Sequence, residues 1–306
     1  MNFPRIDGLV AAPFTPMHPD GSINLSIIPS YHQFLKRNGV AGVFICGSTG
    51  EGPSMTQQEK KDLAQAWANA NKGDEHFKVI LFLGGTSLED AKDLARHASI
   101  IGLNGISLTA PYYFKPAKIE HLAACCIEVA EAAPDQPFYY YHIPILTGVR
   151  FPMIKLMQLL HGKLKNFAGI KFTDEDIADF TQCIQFEKGK YEILWGRDEC
   201  LLAAMAVGGR SGIGSTYNYA MPLYQRLIAA FDKGDMKTAL LHQNQSIEMI
   251  SLLGKYGGMP TGKNFMQAVG LDCGGFRLPF VNMSADDGNK FNEDLVKIGF
   301  SDLKSI

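Results

Sequence analysis

The sequence predicts an α/β fold in which eight parallel strands close into a barrel with helices outside it. Short apolar runs recur at intervals of roughly 20 to 40 residues, and they begin at Gly8, Gly42, Lys78, Gly105, Pro137, Ala168, Glu192 and Gly212. The runs are almost uniformly apolar, as in strands buried on both faces, and the segments between them mostly have the pattern of amphipathic helices. Eight such units in about 220 residues match a TIM (β/α)8 barrel in size, with an open doubly wound sheet as the alternative.

Capping residues mark the helices between the strands. Thr56 with Glu59 is a capping-box pattern ahead of one helix, and Ser87 with Asp90 repeats that pattern ahead of the next. In this arrangement side chains satisfy backbone N–H groups of the first helical turn. We therefore expect helices to begin directly after Thr56 and Ser87.

The chain after the eighth strand has a different pattern. It carries no strong strand signal and is typical of helices, the clearest running from Asp235 to Gly254. We expect residues 1–220 to form the barrel and residues 221–306 to form an appended helical region packed on it, as a single structural unit.

Composition excludes several classes of partner. The 306 residues are 46% hydrophobic and 20% charged, with a net charge of −2, and they lack the dense basic face that nucleic-acid binding requires. No apolar run approaches the roughly 20 residues that span a bilayer, and the N-terminus does not resemble a secretory signal. We expect a cytoplasmic protein with neither nucleic-acid nor membrane partners.

Cysteine and histidine usage gives no sign of a metal or a disulfide framework. The six cysteines form no C-x-x-C pair, and the eight histidines have no metal-ligand spacing. Cysteines in apolar or helical stretches are typical of reduced, mostly buried thiols. We expect no protein metal site.

The candidate site residues follow from the fold, because a TIM barrel places its chemistry at the C-terminal ends of its strands. That rule selects Ser48, Thr49, Tyr112, Tyr113, Tyr141, Lys171, Thr173, Gly196, Asp198, Glu199 and Ser215.

Lys171 is the most distinctive candidate, since it stands between Ile170 and Phe172 within a strand. Burial in an apolar barrel mouth disfavours the ammonium, so the pKa falls from about 10.4. The neutral amine is then a nucleophile suited to forming a Schiff base with a carbonyl. The alternative is a strand-end lysine whose ammonium reaches water.

Tyr141 belongs to a run of three tyrosines in PFYYYHIP. Strand alternation places Tyr139 and Tyr141 on one face and Tyr140 on the other. A tyrosine whose hydroxyl faces a substrate at the barrel mouth serves as a general acid–base. The alternative is that all three tyrosines are packing residues.

Two further stretches have polar groups at strand ends. The stretch GSTG, from Gly47, supplies the hydroxyls of Ser48 and Thr49 and backbone amides just before a helix, which suits a carboxylate or phosphate. A plain turn uses the same residues. Asp198 and Glu199 open a helix, either as acceptors for several sugar hydroxyls or as complements to the helix dipole.

The stretch GGMPTGKN, from Gly257, has Walker A spacing. Asn264 replaces the required Ser or Thr, and the stretch follows a helix rather than a strand. We expect a helix end followed by Thr261 as an N-cap, with nucleotide binding as a weak alternative.

Together these motifs resemble the pyruvate-dependent class I aldolases, the family that includes dihydrodipicolinate synthase and N-acetylneuraminate lyase. The resemblance covers nearly the whole chain and includes, in order, GLVAAPFTP, GSTGEG, TAPYYFKP, YYYHIPILTGV, GIKFTD, GRDE, GIGSTYN and the RLP that begins at Arg277. It implies a TIM barrel with a C-terminal helical region, a homotetramer, and catalysis without a metal or an organic cofactor.

The resemblance also implies residue roles. Lys171 would form the Schiff base with the keto carbon, and Tyr141 would shuttle the proton of the substrate hydroxyl. Ser48 and Thr49 would hold the keto-acid carboxylate. Tyr113 is similar to a family tyrosine that reaches towards the site of a neighbouring subunit.

A few positions indicate whether the chain resembles the synthases or the lyases of this family. In the synthases an arginine grips the second carboxylate, whereas this chain has Leu146, which cannot pair with a carboxylate. Asp198 and Glu199 resemble lyase residues that grip a polyol tail, and Thr173 and Ser215 match lyase positions that contact the sugar. The implied reaction is retro-aldol cleavage of the sialic acid N-acetylneuraminate to pyruvate and N-acetylmannosamine. Another 2-keto acid aldolase and a non-catalytic keto-acid binding protein remain alternatives.

Overall fold

The computed structural model describes residues 3–306, and the first two residues of the predicted barrel segment lie outside this range. In the described chain, strands pair in sequence order and close into a parallel barrel. They are β1 Leu9–Ala11, β2 Gly42–Ile45, β3 Lys78–Phe82, β4 Gly105–Thr109, β5 Phe138–His142, β6 Phe167–Phe172, β7 Glu192–Trp195 and β8 Gly212–Gly214. The TIM-barrel prediction is confirmed, and the open-sheet alternative is wrong because β8 pairs with β1, Leu9 opposite Gly212.

Side-chain alternation along the strands divides the core into two parts. Residues that point into the barrel, such as Phe44, Ile80 and Tyr141, form a small inner cluster. Residues at the alternate positions, such as Tyr140 and Phe172, pack with the helices in the larger outer cluster. Because successive strand side chains face opposite sides, each strand contributes to both clusters. The strands are therefore buried on both faces, as predicted.

Helices cover the outside of the barrel and alternate with its strands. Their bounds are α1 Ile28–Arg37, α2 Gln57–Ala70, α3 Leu88–Ile100, α4 Ile119–Ala130, α5 Pro144–Thr147, α6 Met153–Leu160, α7 Ile177–Gln185 and α8 Leu201–Ala206. Both capping predictions are confirmed. Thr56 and Glu59 form the capping box of α2, and the Ser87 side chain accepts from the Asp90 N–H at the start of α3.

The chain from Met221 onwards is helical. It forms α9 Met221–Asp232, α10 Met236–Lys255, α11 Thr261–Ala268, α12 Ala285–Lys297 and α13 Phe300–Leu303. The predicted helix from Asp235 is α10, whose N-cap Asp235 accepts the Thr238 N–H at 3.0 Å. This long helix packs against α8 and α9 and so lies beside the end of the barrel where strands seven and eight finish.

A buried ion pair joins the turn after β2 to the C-terminal helices. Glu51 and Lys263 are almost fully buried and lie 3.1 Å apart, and the backbone N–H of Arg277 donates to Glu51 at 2.9 Å. Lys263 therefore has a structural partner and lies inside α11, which contradicts the nucleotide-binding alternative. The N-cap of α11 is Pro260 rather than Thr261, because Thr261 is already helical and its hydroxyl donates to the carbonyl of Tyr256.

The cysteines are free thiols and mostly buried, as expected. Burial raises the pKa of Cys46, just before the GST turn, to about 12, so this thiol is unreactive near neutral pH. Between residues 3 and 306, no group of three or more metal-ligating side chains comes together. The same residues contain no helix with the length and apolar character of a membrane span.

Candidate active site

Lys171 lies inside the barrel mouth with its amine between two aromatic rings. Its nitrogen is 4.0 Å from the centroid of the Phe44 ring and 4.0 Å from that of Tyr141. Its neighbours Ile170 and Phe172 belong to the outer cluster, so strand alternation directs Lys171 inward. Burial lowers the pKa of Lys171 to about 7, while nearby Asp198 partly opposes this shift. A large fraction of the amine is therefore neutral and nucleophilic near neutral pH.

Tyr141 lies beside Lys171 because β5 and β6 pair with these two residues in register. Burial raises the pKa of Tyr141 to about 12, and the hydroxyls of Ser48 and Thr173 act in the opposite direction. Tyr139 shares the inner cluster with Tyr141, whereas Tyr140 lies in the outer one, which confirms the predicted alternation. The phenol of Tyr141 is thus protonated at neutral pH and surrounded by groups able to exchange a proton with it.

A cavity of about 250 Å³ lies at this end of the barrel. The predicted residues that line it are Thr49, Tyr141, Lys171, Gly196, Asp198, Glu199 and Ser215. Ser48 and Thr173 adjoin it through Tyr141. Oγ1 of Thr173 is buried and has no hydrogen-bond partner of ordinary geometry within residues 3–306. The structure therefore brings together every predicted site residue except Tyr112 and Tyr113, neither of which lines the cavity.

Tyr113 lies apart from the cavity, on the loop after β4. Its side chain is 75% exposed, and its ring packs edge-on against the exposed Phe114 with the centroids 5.0 Å apart. A single chain does not bring this tyrosine to Lys171. Leu146, the residue at the synthase arginine position, is also exposed, in the short helix α5.

Asp198 is buried, unlike a carboxylate that accepts hydrogen bonds at the protein surface. It opens a 3₁₀ turn after β7, and its Oδ2 accepts from the Thr216 N–H at 3.0 Å and the Thr216 hydroxyl at 2.6 Å. Oδ1 has no hydrogen-bond partner in the described part of the chain. Burial raises the pKa of Asp198 to about 6, and the bonds from Thr216 limit that rise. Oδ2 of Asp198 is thus occupied by Thr216, and Oδ1 is the oxygen left for a ligand.

Glu199, the next residue, has a different environment. Its carboxylate pairs with Arg197 at 2.8 Å, and Arg197 also pairs with Glu175 at 2.9 Å. The Glu199 side chain is 31% exposed and lines the cavity. It remains accessible to a ligand, and Arg197 limits its freedom of movement.

Two glycines at the cavity allow side chains to approach the strand ends closely. A Cβ on Gly196 would collide with the Thr173 side chain, and a Cβ on Gly214 would collide with the carboxylate of Asp198. Both glycines line the cavity. Their lack of a side chain allows Thr173 and Asp198 to approach the strand ends.

The GST turn is not directly followed by an α-helix, which corrects one expectation. A 3₁₀ turn, Gly52–Ser54, intervenes before α2. Within the GST turn the Glu51 N–H donates to the Ser48 carbonyl at 3.1 Å. The hydroxyls of the half-buried Ser48 and Thr49, rather than a helix N-terminus, are therefore the polar groups that this turn brings to the site.

The sequence interpretation missed several parts of the site. Phe44 contacts the Lys171 amine, Thr216 holds Asp198, and Ile250 and Leu253 of α10 form one wall of the cavity. Phe44 was detectable as an inward position on β2, by the same alternation that was applied to the tyrosines. No sequence pattern indicated that α10 reaches the site.

The fold and the buried amine define a β/α-barrel protein with a buried lysine of lowered pKa at the C-terminal ends of its strands. Residues 5–298 match the dihydrodipicolinate synthetase family, and the chain belongs to that family. It is 41% identical to N-acetylneuraminate lyase of Gallus gallus over 92% of both chains. It is 39% identical to N-acetylneuraminate lyase of Homo sapiens over 99% of this chain and 98% of the relative. The solved structure of Proteus mirabilis N-acetylneuraminate lyase superposes with a TM-score of 0.93 at 36% identity, covering 97% of this chain and all of that one.

Proposed function

We propose that this chain is a Schiff-base aldolase that cleaves N-acetylneuraminate to pyruvate and N-acetylmannosamine. The observation that carries the proposal is the position of Lys171, whose amine lies 4.0 Å from the Tyr141 ring centroid and whose pKa burial lowers to about 7. Binding alone needs no neutral amine, whereas Schiff-base chemistry does. The full-length similarity to N-acetylneuraminate lyases supports this substrate.

The reaction begins when the neutral amine of Lys171 attacks the ketone of the open-chain sugar. Uptake of one proton from solvent and loss of water give a protonated imine, which accepts electrons from the neighbouring carbon–carbon bond. Tyr141 removes the proton of the hydroxyl two carbons beyond the ketone and passes its own phenolic proton to the substrate carboxylate. This relay suits a phenol whose pKa burial raises to about 12, since such a phenol starts in its protonated form.

Cleavage of the carbon–carbon bond then releases the aldehyde N-acetylmannosamine. The electron pair moves to the imine and leaves an enamine of pyruvate on Lys171. The proton that the relay left on the substrate carboxylate is delivered to the enamine carbon and restores the protonated imine. Water then hydrolyses it to pyruvate and the free amine, and one proton returns to solvent. Every proton and electron pair is accounted for by the substrate, water, Lys171 and Tyr141.

The remaining residues would bind and orient the substrate. Ser48 and Thr49 would hold the keto-acid carboxylate through their hydroxyls. The sugar would contact Thr173 beside the cavity and the cavity residues Gly196, Asp198, Glu199 and Ser215. We further propose a homotetramer in which Tyr113 of one subunit completes the site of a neighbour, since its ring is exposed and apart from its own cavity.

Intact-mass analysis after borohydride reduction tests this function. Wild-type protein is incubated in parallel with pyruvate and with N-acetylneuraminate, and Lys171→Ala is treated identically. Lys78→Ala serves as a matched control, because Lys78 begins β3 at the opposite end of the barrel. We expect a pyruvyl adduct from both ligands in wild type and control, and none in Lys171→Ala. An adduct from pyruvate alone would indicate a different substrate, and no adduct from either would refute the aldolase proposal.

A further inference from the structure

A chain of buried hydroxyls connects Asp198 to the C-terminal helices. The Thr216 hydroxyl lies 2.6 Å from Oδ2 of Asp198 and 2.6 Å from the Tyr224 hydroxyl. The Tyr224 hydroxyl lies in turn 2.8 Å from the hydroxyl of Ser246. Thr216, Tyr224 and Ser246 are each at most 1% exposed. The chain thus runs from the cavity wall through α9 to α10 without contact with solvent.

The ionised carboxylate sets the direction of these hydrogen bonds. Since a carboxylate only accepts, Thr216 must donate its single hydroxyl proton to Asp198. Tyr224 must then donate to Thr216, and Ser246 must donate to Tyr224. Donors aligned in one direction polarise each other and strengthen the last bond of the series. The outermost hydroxyl therefore contributes to how firmly Oδ2 is held.

We propose that Tyr224 is a positioning residue: by donating to Thr216 it keeps Oδ2 of Asp198 inside the protein and leaves Oδ1 as the acceptor for a substrate hydroxyl. The proposal rests on the proposed binding of the sugar at Asp198. Asp198 lines the cavity, and its Oδ1 lies against Gly214, another lining residue; this buried oxygen has no hydrogen-bond partner of ordinary geometry within residues 3–306. Tyr224 itself is not among the residues that line the cavity.

A second contact from α10 holds the backbone of the same residue. The Gln243 amide donates to the Asp198 carbonyl at 3.2 Å and accepts from the Leu202 N–H at 2.8 Å. Gln243 thus holds the carbonyl of Asp198 directly, and Ser246, one turn further along α10, is linked to the carboxylate through Tyr224 and Thr216. The C-terminal helices therefore pack on the barrel and also help to orient Asp198.

Kinetics of Tyr224→Phe test the proposal, with Tyr219→Phe as the matched control. Tyr219 is equally buried, but its hydroxyl has no hydrogen-bond partner within residues 3–306. Loss of a buried hydrogen bond to a charged network costs about 1 to 1.5 kcal/mol, which corresponds to roughly a 5- to 10-fold change. We expect Tyr224→Phe to raise KM for N-acetylneuraminate by about that factor with kcat changed less than about 2-fold, and Tyr219→Phe to leave KM unchanged.

A double variant separates positioning from general damage to the fold. If Tyr224 acts through Thr216, then Thr216→Val combined with Tyr224→Phe should be no worse than Thr216→Val alone. Additive effects on KM would overturn the proposal. Should Tyr224→Phe fold poorly, Ser246→Ala removes only the preceding donor and should change KM in the same direction by a smaller factor.

An infrared titration decides the same question without a substrate. The band of the protonated Asp198 carboxyl is assigned as the one that Asp198→Asn removes, and its midpoint is followed with pH. The titratable groups that interact with this carboxyl through charge or hydrogen bonding are Lys171, Glu199, Tyr141, Tyr217, Tyr219 and Tyr224. We expect Tyr224→Phe, but not Tyr219→Phe, to move the midpoint to higher pH, because the carboxylate loses stabilisation. An unchanged midpoint would overturn the proposal.

Failure of the wild type to cleave N-acetylneuraminate would instead refute the proposed function. The infrared midpoint would then decide the role of Tyr224 by itself.

Discussion

The side-chain nitrogen of Lys171 lies 4.0 Å from the centroid of the Tyr141 ring, on the neighbouring strand of the barrel. The two residues are paired in register, so the closeness follows from the sheet itself rather than from a flexible loop. An amine over the faces of two rings, Tyr141 and Phe44, is also shielded from water. The arrangement keeps the Lys171 amine beside the Tyr141 ring, with the phenol protonated and a substantial fraction of the amine neutral near pH 7.

Replacing Lys171 by methionine should increase stability. Burial lowers the pKa of Lys171 from 10.5 to about 7, so between these values the unfolded chain binds more protons than the folded one. The wild type therefore gains stability as pH rises through this window, by about 1.4 kcal/mol per unit, and is penalised most at pH 7 and below. We expect the methionine variant to be more stable than wild type by roughly 2 to 5 kcal/mol at pH 7, with a smaller difference at pH 9. Urea denaturation at the two pH values measures this, and a pH-independent difference would contradict the lowered pKa.

Tyr141→Phe should reduce cleavage of N-acetylneuraminate by about 10²- to 10⁴-fold, the range for loss of a general acid–base group. Steady-state kcat measures the loss. Tyr139→Phe is the matched control, since Tyr139 faces the same barrel interior but donates to Glu192 at 2.7 Å, away from the cavity. Equal losses of kcat in both variants would show that the effect is one of packing rather than proton transfer.

Removing the hydroxyls of the GST turn should weaken keto-acid binding. In Ser48→Ala combined with Thr49→Val, a carboxylate loses charge-assisted hydrogen bonds, each with a value of about 1.5 to 3 kcal/mol. We expect the pyruvate concentration for half-maximal borohydride trapping to rise at least about 10-fold. Unchanged pyruvate affinity would mean that the stretch is a plain turn.

Glu51→Gln should destabilise the fold. It leaves the Lys263 ammonium buried without its ion-pair partner 3.1 Å away, and breaking one side of a buried pair costs about 3 to 5 kcal/mol. Lys290→Gln is the control, because it breaks the exposed Lys290–Asp287 pair, in which water and salt screen the attraction and little stability is at stake. Denaturant unfolding compares the two variants, and a similar small loss in both would contradict a structural role for the buried pair.

Much of the site was predictable because it depends on strand order and alternation. Once eight strands were recognised, the residues after each run had to gather at one end of the barrel, which placed Lys171, Tyr141 and Asp198 together. Alternation assigned Tyr139 and Tyr141 to the interior. The same reasoning could not show that Oδ2 of Asp198 is occupied by Thr216, because that contact depends on the exact course of two loops.

The barrel, the capped helices α2 and α3, and the set of residues at the strand ends were predictable from the amino-acid pattern, because these features depend on local pattern and chain order. The environment of each group depends instead on how the folded chain packs. Packing placed Phe44 against the Lys171 amine and α10 in the cavity wall, and it connected Asp198 to Ser246 through two hydroxyls. It also paired Glu51 with Lys263, residues far apart in the chain. These contacts join distant segments, and burial, which shifts the pKa values of Lys171 and Asp198, exists only once those segments have packed.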